Sequence, residues 1–146
     1  MPAPVTARPA GLRPRLLNVN PTDQVLEIGY GPGVAISALV RAGAGHVYGV
    51  DHSAVMRRQA AKRNRDAIRA DRVTLVEAPV DQLPATLDGP FDAILAVDSL
   101  GLWPDAAEQL AALRTRLASG GRIAIVSQLR TEILPLNPPV VCVLGS

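Results

Sequence analysis

The stretch Val25-Leu26-Glu27-Ile28-Gly29-Tyr30-Gly31-Pro32-Gly33-Val34-Ala35-Ile36-Ser37-Ala38-Leu39-Val40 decides the fold of this chain. An apolar run carrying one acid comes first, alternating glycines follow, and apolar residues at helical spacing come last. This order predicts a β-strand, a tight turn and an α-helix. Glycine permits positive φ angles and lets the backbone approach a ligand closely, because no Cβ intervenes. Pro32 suits a helix start, since its φ is already fixed and it has no N–H to lose.

The glycine turn predicts a site for a nucleotide-like ligand. A dinucleotide-binding fold has G-x-G-x-x-G here, which places a pyrophosphate at the helix N-terminus. In this sequence Gly33 comes one residue early, and Val34 occupies the position of the last glycine. Glu27 would also repel a pyrophosphate, because it adds a negative charge beside the turn. The pattern therefore favours a ligand with a cationic centre.

A second apolar run, His46-Val47-Tyr48-Gly49-Val50, ends in the acid Asp51. A carboxylate at the end of a second strand can accept hydrogen bonds from both hydroxyls of a ribose, as it does in dinucleotide folds. Asp51 is therefore a candidate ribose ligand, although this residue alone does not separate the two ligand classes.

Further motifs follow the glycine turn in a fixed order. They are Glu27-x-Gly29-x-Gly31-x-Gly33, Asp51-His52-Ser53-Ala54-Val55-Met56, Phe91-Asp92-Ala93-Ile94-Leu95-Ala96-Val97-Asp98-Ser99-Leu100 and Leu117-Ala118-Ser119-Gly120-Gly121. Over about residues 24–128 the chain resembles the class I S-adenosylmethionine-dependent methyltransferases, with Ser119 in place of a usual proline. The resemblance implies a three-layer Rossmann-like α/β fold with a mostly parallel central sheet and a short antiparallel C-terminal strand or strand pair.

The resemblance also implies S-adenosyl-L-methionine as the cofactor and assigns roles to the motifs. The cofactor-binding candidates are Glu27, Gly29, Tyr30, Gly31, Gly33, Asp51, His52, Val80, Asp81 and Asp98. The glycine loop would hold the methionine and ribose parts, and Glu27 would face the cationic end. His52 would pack against adenine, although a half-exposed loop histidine with no such role explains this position equally well.

Two of these positions need separate comment. Pro79 occupies a place where the family often has Asp, so the hydrogen bond to the adenine amino group is lost or moved to Asp81, and the N–H of Val80 remains available. Asp98, at the end of strand four with Trp103 on the same loop, would contact the cofactor or the acceptor and is the candidate catalytic residue. The acceptor itself is not readable from the sequence.

Alternating apolar runs and helical spacing predict a parallel sheet with crossover helices. Strands are expected near 24–28, 46–50, 73–76, 92–97 and 122–127, and helices near 33–43, 53–70 and 105–118. Right-handed crossovers would place the C-terminal ends of all these strands on one rim, where open α/β sheets bind ligands.

Length and composition limit the number of domains and the classes of partner that the chain can bind. A chain of 146 residues predicts one domain, 1–146, with residues 1–15 as a flexible arm. A net charge of +2 is too small to indicate nucleic-acid or membrane binding, so the basic residues of 57–72 are interpreted as a solvated helix face. The single cysteine, Cys142, fits a reducing compartment, and a cytoplasmic location is expected. No metal site is predicted.

The tail predicts a departure from the family. Too few residues separate strand five from Thr131-Glu132-Ile133-Leu134-Pro135-Leu136 for a crossover helix, which needs a dozen or more. The chain then looks internally shortened, with Ile123 and Ile125 or their neighbours exposed. Exposed apolar patches tend to be buried by a partner, so a homodimer is expected.

Three functions remain open on the sequence alone. The first is methyl transfer from S-adenosylmethionine to a small molecule. The second is a catalytically weak or inactive domain that binds this cofactor as a binding or assembly module. The third is a nucleotide-dependent oxidoreductase, which Glu27 and Val34 make the weakest of the three.

Overall fold

The central sheet has six strands in the order β3-β2-β1-β4-β5-β6 in this computed structural model, which describes residues 18–97, 102–127 and 140–145. The strands are β1 Gln24–Ile28, β2 His46–Asp51, β3 Val73–Glu77, β4 Phe91–Val97, β5 Leu117–Ser127 and β6 Val140–Gly145. Strands β1 to β5 pair in parallel, and β6 runs antiparallel to β5. The predicted Rossmann-like α/β fold with a parallel sheet is confirmed.

The helices lie close to their predicted positions, with two differences. They are α1 Val34–Arg41, α2 Ala54–Arg63, α3 Arg65–Arg69 and α4 Ala106–Arg114, and a 3₁₀ turn covers Ala85–Leu87. The single helix predicted over 53–70 is wrong, because Asn64 leaves the helical conformation at φ −109° and ψ 20° and divides it. The helix predicted over 105–118 ends four residues early.

The early end of α4 has a local cause. The carbonyl of Arg116 accepts the N–H of Phe91 at 2.8 Å, and Leu117 is the register partner of Phe91 in the sheet. Leu117 therefore begins a strand, although its spacing after Leu113 matches a helix. A register shift between Phe91 and Ala93 then lets β5 continue along β4.

The sheet is covered on both faces, which explains why its strands are almost uniformly apolar. One face packs Val25, Val47 and Leu95 against Ile36 and Leu39 of α1. The other face packs strand residues against the 3₁₀ turn and α4 through Leu87 and Leu113. The chain therefore forms three layers.

The expected exposure of strand β5 is wrong. Ile123 is 1% exposed and Ile125 is 8% exposed, because they lie in the same apolar cluster as Leu113 of α4. The segment 128–139, on which the predicted loss of a crossover helix rests, lies outside the described residues, as does the arm 1–15.

No helix of the described ranges is both long and apolar enough to cross a lipid bilayer. The same ranges contain no group of three or more His, Cys, Asp or Glu side chains arranged to hold a metal ion.

Candidate cofactor site

A cleft of about 390 Å³ opens at the C-terminal ends of β1, β2 and β4. Its described lining is Ile28, Gly29, Gly31, Asp51, His52, Pro79, Val80, Asp81, Val97, Leu102, Trp103 and Pro104. The volume lies within the range of roughly 300–1,000 Å³ that is typical of small-molecule sites. The position is the rim at which open α/β sheets bind their ligands.

The turn after β1 has the conformation that its glycines allow. Gly29, Gly31 and Gly33 have φ angles of 72°, 53° and 86°, which other residues rarely adopt. The N–H of Gly29 donates to the carbonyl of Val50 at 2.7 Å, so the turn begins fixed to β2. A Cβ added at Gly31 would meet no protein atom within 4 Å. The backbone at Gly31 therefore borders open space in the cleft.

Asp51 joins the glycine turn to the start of α2. Its Oδ2 accepts the N–H of Gly31 at 2.9 Å, and its Oδ1 accepts the N–H of Ser53 at 2.9 Å. The residue is 8% exposed. Each carboxylate oxygen has a second lone pair, so both can accept a further hydrogen bond from a ligand. Ser53 in turn caps α2, because its side chain accepts the N–H of Met56 at 3.2 Å.

Gly33 belongs to the turn but not to the described lining of the cleft. It precedes α1, and a Cβ there would lie 2.7 Å from Nδ2 of Asn64 and 2.9 Å from Cα of Ala60. The glycine is required because α2 packs directly on the turn. This contact gives Gly33 a packing role, and its predicted part in the cofactor cradle stays a prediction.

Tyr30 also faces away from the cleft. It is 3% exposed and lies in the apolar cluster beneath α1, where its ring would contact a Cβ at Gly49 at 2.6 Å. Its hydroxyl has no hydrogen-bond partner among the described residues. Burial, followed by the negative charge of Asp51, raises the pKa of Tyr30 to about 12. The side chain of Tyr30 therefore supports the loop from below, and its predicted role in cofactor binding stays a prediction.

Of the remaining predicted site residues, some line the cleft and others do not. His52, Val80 and Asp81 line the cleft, whereas Glu27 is 2% exposed and is not part of the described lining. The imidazole of His52 is 76% exposed, and its Nδ1 lies 3.8 Å from Oδ1 of Asp51. Asp98 lies outside the described residues, next to Val97, which lines the cleft.

Several apolar lining residues were not predicted as site residues. Ile28 and Val97 end their strands at the cleft, and Leu102 and Pro104 follow β4 in the chain. Leu102 is 79% exposed, which is unusual for a leucine. Trp103 is the sequence feature that could have indicated this apolar part of the lining, since it follows the fourth strand in the chain.

Asn64, which no sequence motif indicated, contacts the glycine turn from outside the cleft. Its Nδ2 donates to the carbonyl of Gly33 at 3.1 Å and to the carbonyl of Ala60 at 3.0 Å. Arg63 adds a contact from its Nε to the carbonyl of Pro32 at 3.1 Å. The end of α2 thus contacts the glycine turn through two side chains.

A parallel α/β sheet with a glycine turn after β1 and an acid ending β2 is typical of nucleotide-binding folds, among them the class I S-adenosylmethionine-dependent methyltransferases. Residues 25–121 match the sequence profile of the family described as "Methyltransferase domain", and the chain belongs to that family. S-adenosyl-L-methionine is the cofactor of this family. The match counts against the dinucleotide-dependent oxidoreductase hypothesis.

Particular relatives agree with this assignment. The chain is 26% identical over 115 residues to the uncharacterized methyltransferase YdaC of Bacillus subtilis, covering 78% of this chain and 61% of YdaC. It is 26% identical to a candidate S-adenosyl-L-methionine-dependent methyltransferase from Methanococcus maripaludis, with a TM-score of 0.69 over 81% of this chain and 54% of that structure. YcgJ from Bacillus subtilis shares the fold, with 22% identity and a TM-score of 0.72 over 82% of this chain and 50% of YcgJ. The chain thus spans between half and about three fifths of the length of these relatives.

Proposed function

We propose that this chain binds S-adenosyl-L-methionine in the cleft and transfers its methyl group to a small molecule. The observation that carries the proposal is the pairing of Asp51 with Gly31. The carboxylate of Asp51 is nearly buried and can accept further hydrogen bonds. It binds the backbone of Gly31, which borders open space in the cleft. The carboxylate can accept hydrogen bonds from the ribose hydroxyls. The open space beside Gly31 can hold the methionine portion that is attached to the ribose.

The residues of the cleft suit the parts of this cofactor. Asp51 would accept the ribose hydroxyls, and Gly29 and Gly31 would lie along the methionine portion. His52 and Val80 would contact adenine, with Asp81 as the remaining carboxylate near its amino group. Glu27, which is buried near the end of β1, would orient the glycine turn. When bound, the cofactor supplies a methyl carbon that its sulfonium has already activated for displacement.

The chain's own contribution to methyl transfer is then position and the exclusion of water. Leu102, Trp103 and Pro104 give the cleft an apolar wall on the side of β4. Such a wall supports an acceptor with an apolar body, and a cleft of about 390 Å³ supports a small molecule. Asp98 directly follows Val97 in the chain and stays the candidate catalytic residue.

A calorimetric titration tests the binding part of the proposal. S-adenosylhomocysteine, S-adenosylmethionine and NAD would be titrated into the purified protein under the same conditions. We expect saturable binding of the first two and no heat of binding from NAD. Binding of NAD alone would refute the proposal.

Turnover is tested separately, with a panel of small phenols, amines, carboxylates and thiols and detection of S-adenosylhomocysteine by mass spectrometry. Release of S-adenosylhomocysteine with at least one acceptor is the expected result. Cofactor binding without any turnover would support the interpretation of the chain as a binding module instead.

Three sequence predictions stay proposals. They are the single-domain organisation of 1–146, the cytoplasmic location and the homodimer. The homodimer has lost its original argument, since Ile123 and Ile125 are buried within their own chain. Sedimentation equilibrium across a hundredfold range of concentration tests it, and a monomer throughout would refute it.

A further inference from the structure

The glycine turn is held at two points by residues that flank the same helix. Asp51, just before α2, accepts the N–H of Gly31 at 2.9 Å. Asn64, just after α2, donates from its Nδ2 to the carbonyl of Gly33 at 3.1 Å. Helix α2 therefore connects the carboxylate proposed to bind the ribose with the far end of the turn proposed to hold the methionine part.

Asn64 is well placed to fix the turn. It is 5% exposed, so water competes little with the hydrogen bonds of its amide. The carbonyl of Gly33 also accepts the N–H of Ser37 at 3.1 Å, which is the first hydrogen bond of α1. The two donors together fix the direction of the peptide group at Gly33. The Nδ2 of Asn64 also fills the space beside Gly33, so the turn cannot relax toward α2.

A purely structural role would look different. To end α2, Asn64 needs only its bond to the carbonyl of Ala60 at 3.0 Å and its own non-helical backbone. The bond to Gly33 crosses to another element that is 31 residues away in the chain, the turn whose Gly31 lines the cleft.

We propose that Asn64 is a positioning residue for the cofactor, acting through the carbonyl of Gly33. This inference rests on the proposed function of the cleft. Asn64 touches no part of the cleft itself, so its effect on binding is indirect. It holds the turn in the conformation that directs Gly31 toward the ligand before the ligand arrives.

Two substitutions separate the positioning role from the capping role. Asn64→Leu keeps the number and branching of the side-chain heavy atoms and removes both hydrogen bonds. Asn64→Ser introduces a hydroxyl that can donate to the carbonyl four residues back, at Ala60, but is too short to reach Gly33. The serine variant also serves if the leucine variant does not fold.

Arg72 provides a matched control at the other end of α1. Its Nη2 donates to the carbonyls of Val40 and Ala44 at 3.2 Å and 3.0 Å. Arg72→Met removes two side-chain to carbonyl bonds, as Asn64→Leu does, while leaving the glycine turn untouched.

Affinity for S-adenosylhomocysteine and the midpoint of urea unfolding would be measured for each protein. We expect both Asn64→Leu and Arg72→Met to unfold at lower urea concentration. Only the Asn64 variants should bind S-adenosylhomocysteine more weakly, by roughly tenfold, which is the loss of about one hydrogen bond. Unchanged affinity in Asn64→Ser, with a wild-type protein that binds, would overturn the proposal.

Hydrogen exchange of the unliganded protein gives a readout that does not depend on the cofactor. The amides of Gly31 and Gly33 should exchange faster in the Asn64 variants and at the wild-type rate in Arg72→Met. If the wild type fails to bind S-adenosylhomocysteine, the proposed function fails, and with it the role in cofactor positioning. Exchange then still decides whether Asn64 orders the turn, and equal rates in all proteins would overturn that as well.

Discussion

Replacing Asp51 should weaken cofactor binding and also lower the stability of the fold. The sequence alone predicts that Asp51→Ala weakens binding and leaves the fold intact. The structure changes this expectation, since both carboxylate oxygens accept backbone N–H groups, from Gly31 and from Ser53. Hydrogen bonds to a charged group each contribute about 1.5–3 kcal/mol. Asp51→Ala should therefore lower the free energy of unfolding by roughly 2–4 kcal/mol, because water from the cleft replaces part of both bonds.

Asp51→Asn is the sharper substitution. The asparagine keeps its size and one carbonyl oxygen, which can still accept the N–H of Ser53 or of Gly31. We expect a loss of stability of about 1–2 kcal/mol, from one hydrogen bond and the charge. Binding of S-adenosylhomocysteine loses an acceptor for one ribose hydroxyl, which costs about 1–3 kcal/mol and corresponds to a tenfold to hundredfold weaker Kd.

Asp92 supplies the control for this experiment. Its Oδ2 accepts the N–H of Gln24 at 2.8 Å, at the opposite end of the sheet from the cleft. Asp92→Asn removes the same type of charged hydrogen bond and should leave the Kd for S-adenosylhomocysteine unchanged. Calorimetry on the three proteins decides the matter. Wild-type affinity in Asp51→Asn, or equal weakening in both variants, would refute the assignment of Asp51 to the site.

Three further predictions concern the glycine turn. Gly31→Val should abolish binding of S-adenosylhomocysteine while costing only the backbone strain of a positive φ, about 1–2 kcal/mol, since no protein atom lies within 4 Å of the new Cβ; normal binding would show that the loop is wrongly assigned. Gly33→Ala should lower the free energy of unfolding by more, roughly 2–4 kcal/mol, because its Cβ would lie 2.7 Å from Asn64 at a φ of 86°; urea unfolding with a smaller loss than in Gly31→Val would contradict this contact. Tyr30→Phe should leave stability near neutral pH almost unchanged, because the lost hydroxyl has no partner among the described residues. The raised pKa of Tyr30, about 12, means that the unfolded chain ionises first, so wild-type stability should fall between pH 10 and 12 relative to Tyr30→Phe; parallel unfolding curves over that range would argue against a buried phenol.

The sequence predicted the strands well for a physical reason. Strands buried on both faces need continuous apolar runs, and β1 was placed correctly at 24–28. The turn and Asp51 were also readable, because positive φ angles require glycine and because an acid at a strand end is a strong local signal. These features depend on residues that are neighbours in the chain.

The features that were missed depend on residues far apart in the chain. Asn64 divides a segment of helical composition, and one of its two side-chain hydrogen bonds is to the carbonyl of Gly33, 31 residues away. Leu117 fits a helical stripe and joins a strand because Phe91 lies beside it. The direction of Tyr30 could not be read from a turn in which neither helical nor strand periodicity applies.

The packing of Tyr30 on Gly49 has a consequence for how this loop can change. A Cβ at Gly49 would lie 2.6 Å from Cδ2 of Tyr30 and 2.8 Å from Cδ1 of Ile36, so β2 has no room for even one methyl group under the ring. The two positions are therefore coupled by volume. Gly49→Ala alone should be costly, whereas the same substitution with a smaller residue at position 30 should recover the part of the stability that is lost to the contact with Tyr30. The space beneath the glycine turn therefore limits the residues at positions 30 and 49 together, although only position 30 belongs to the turn.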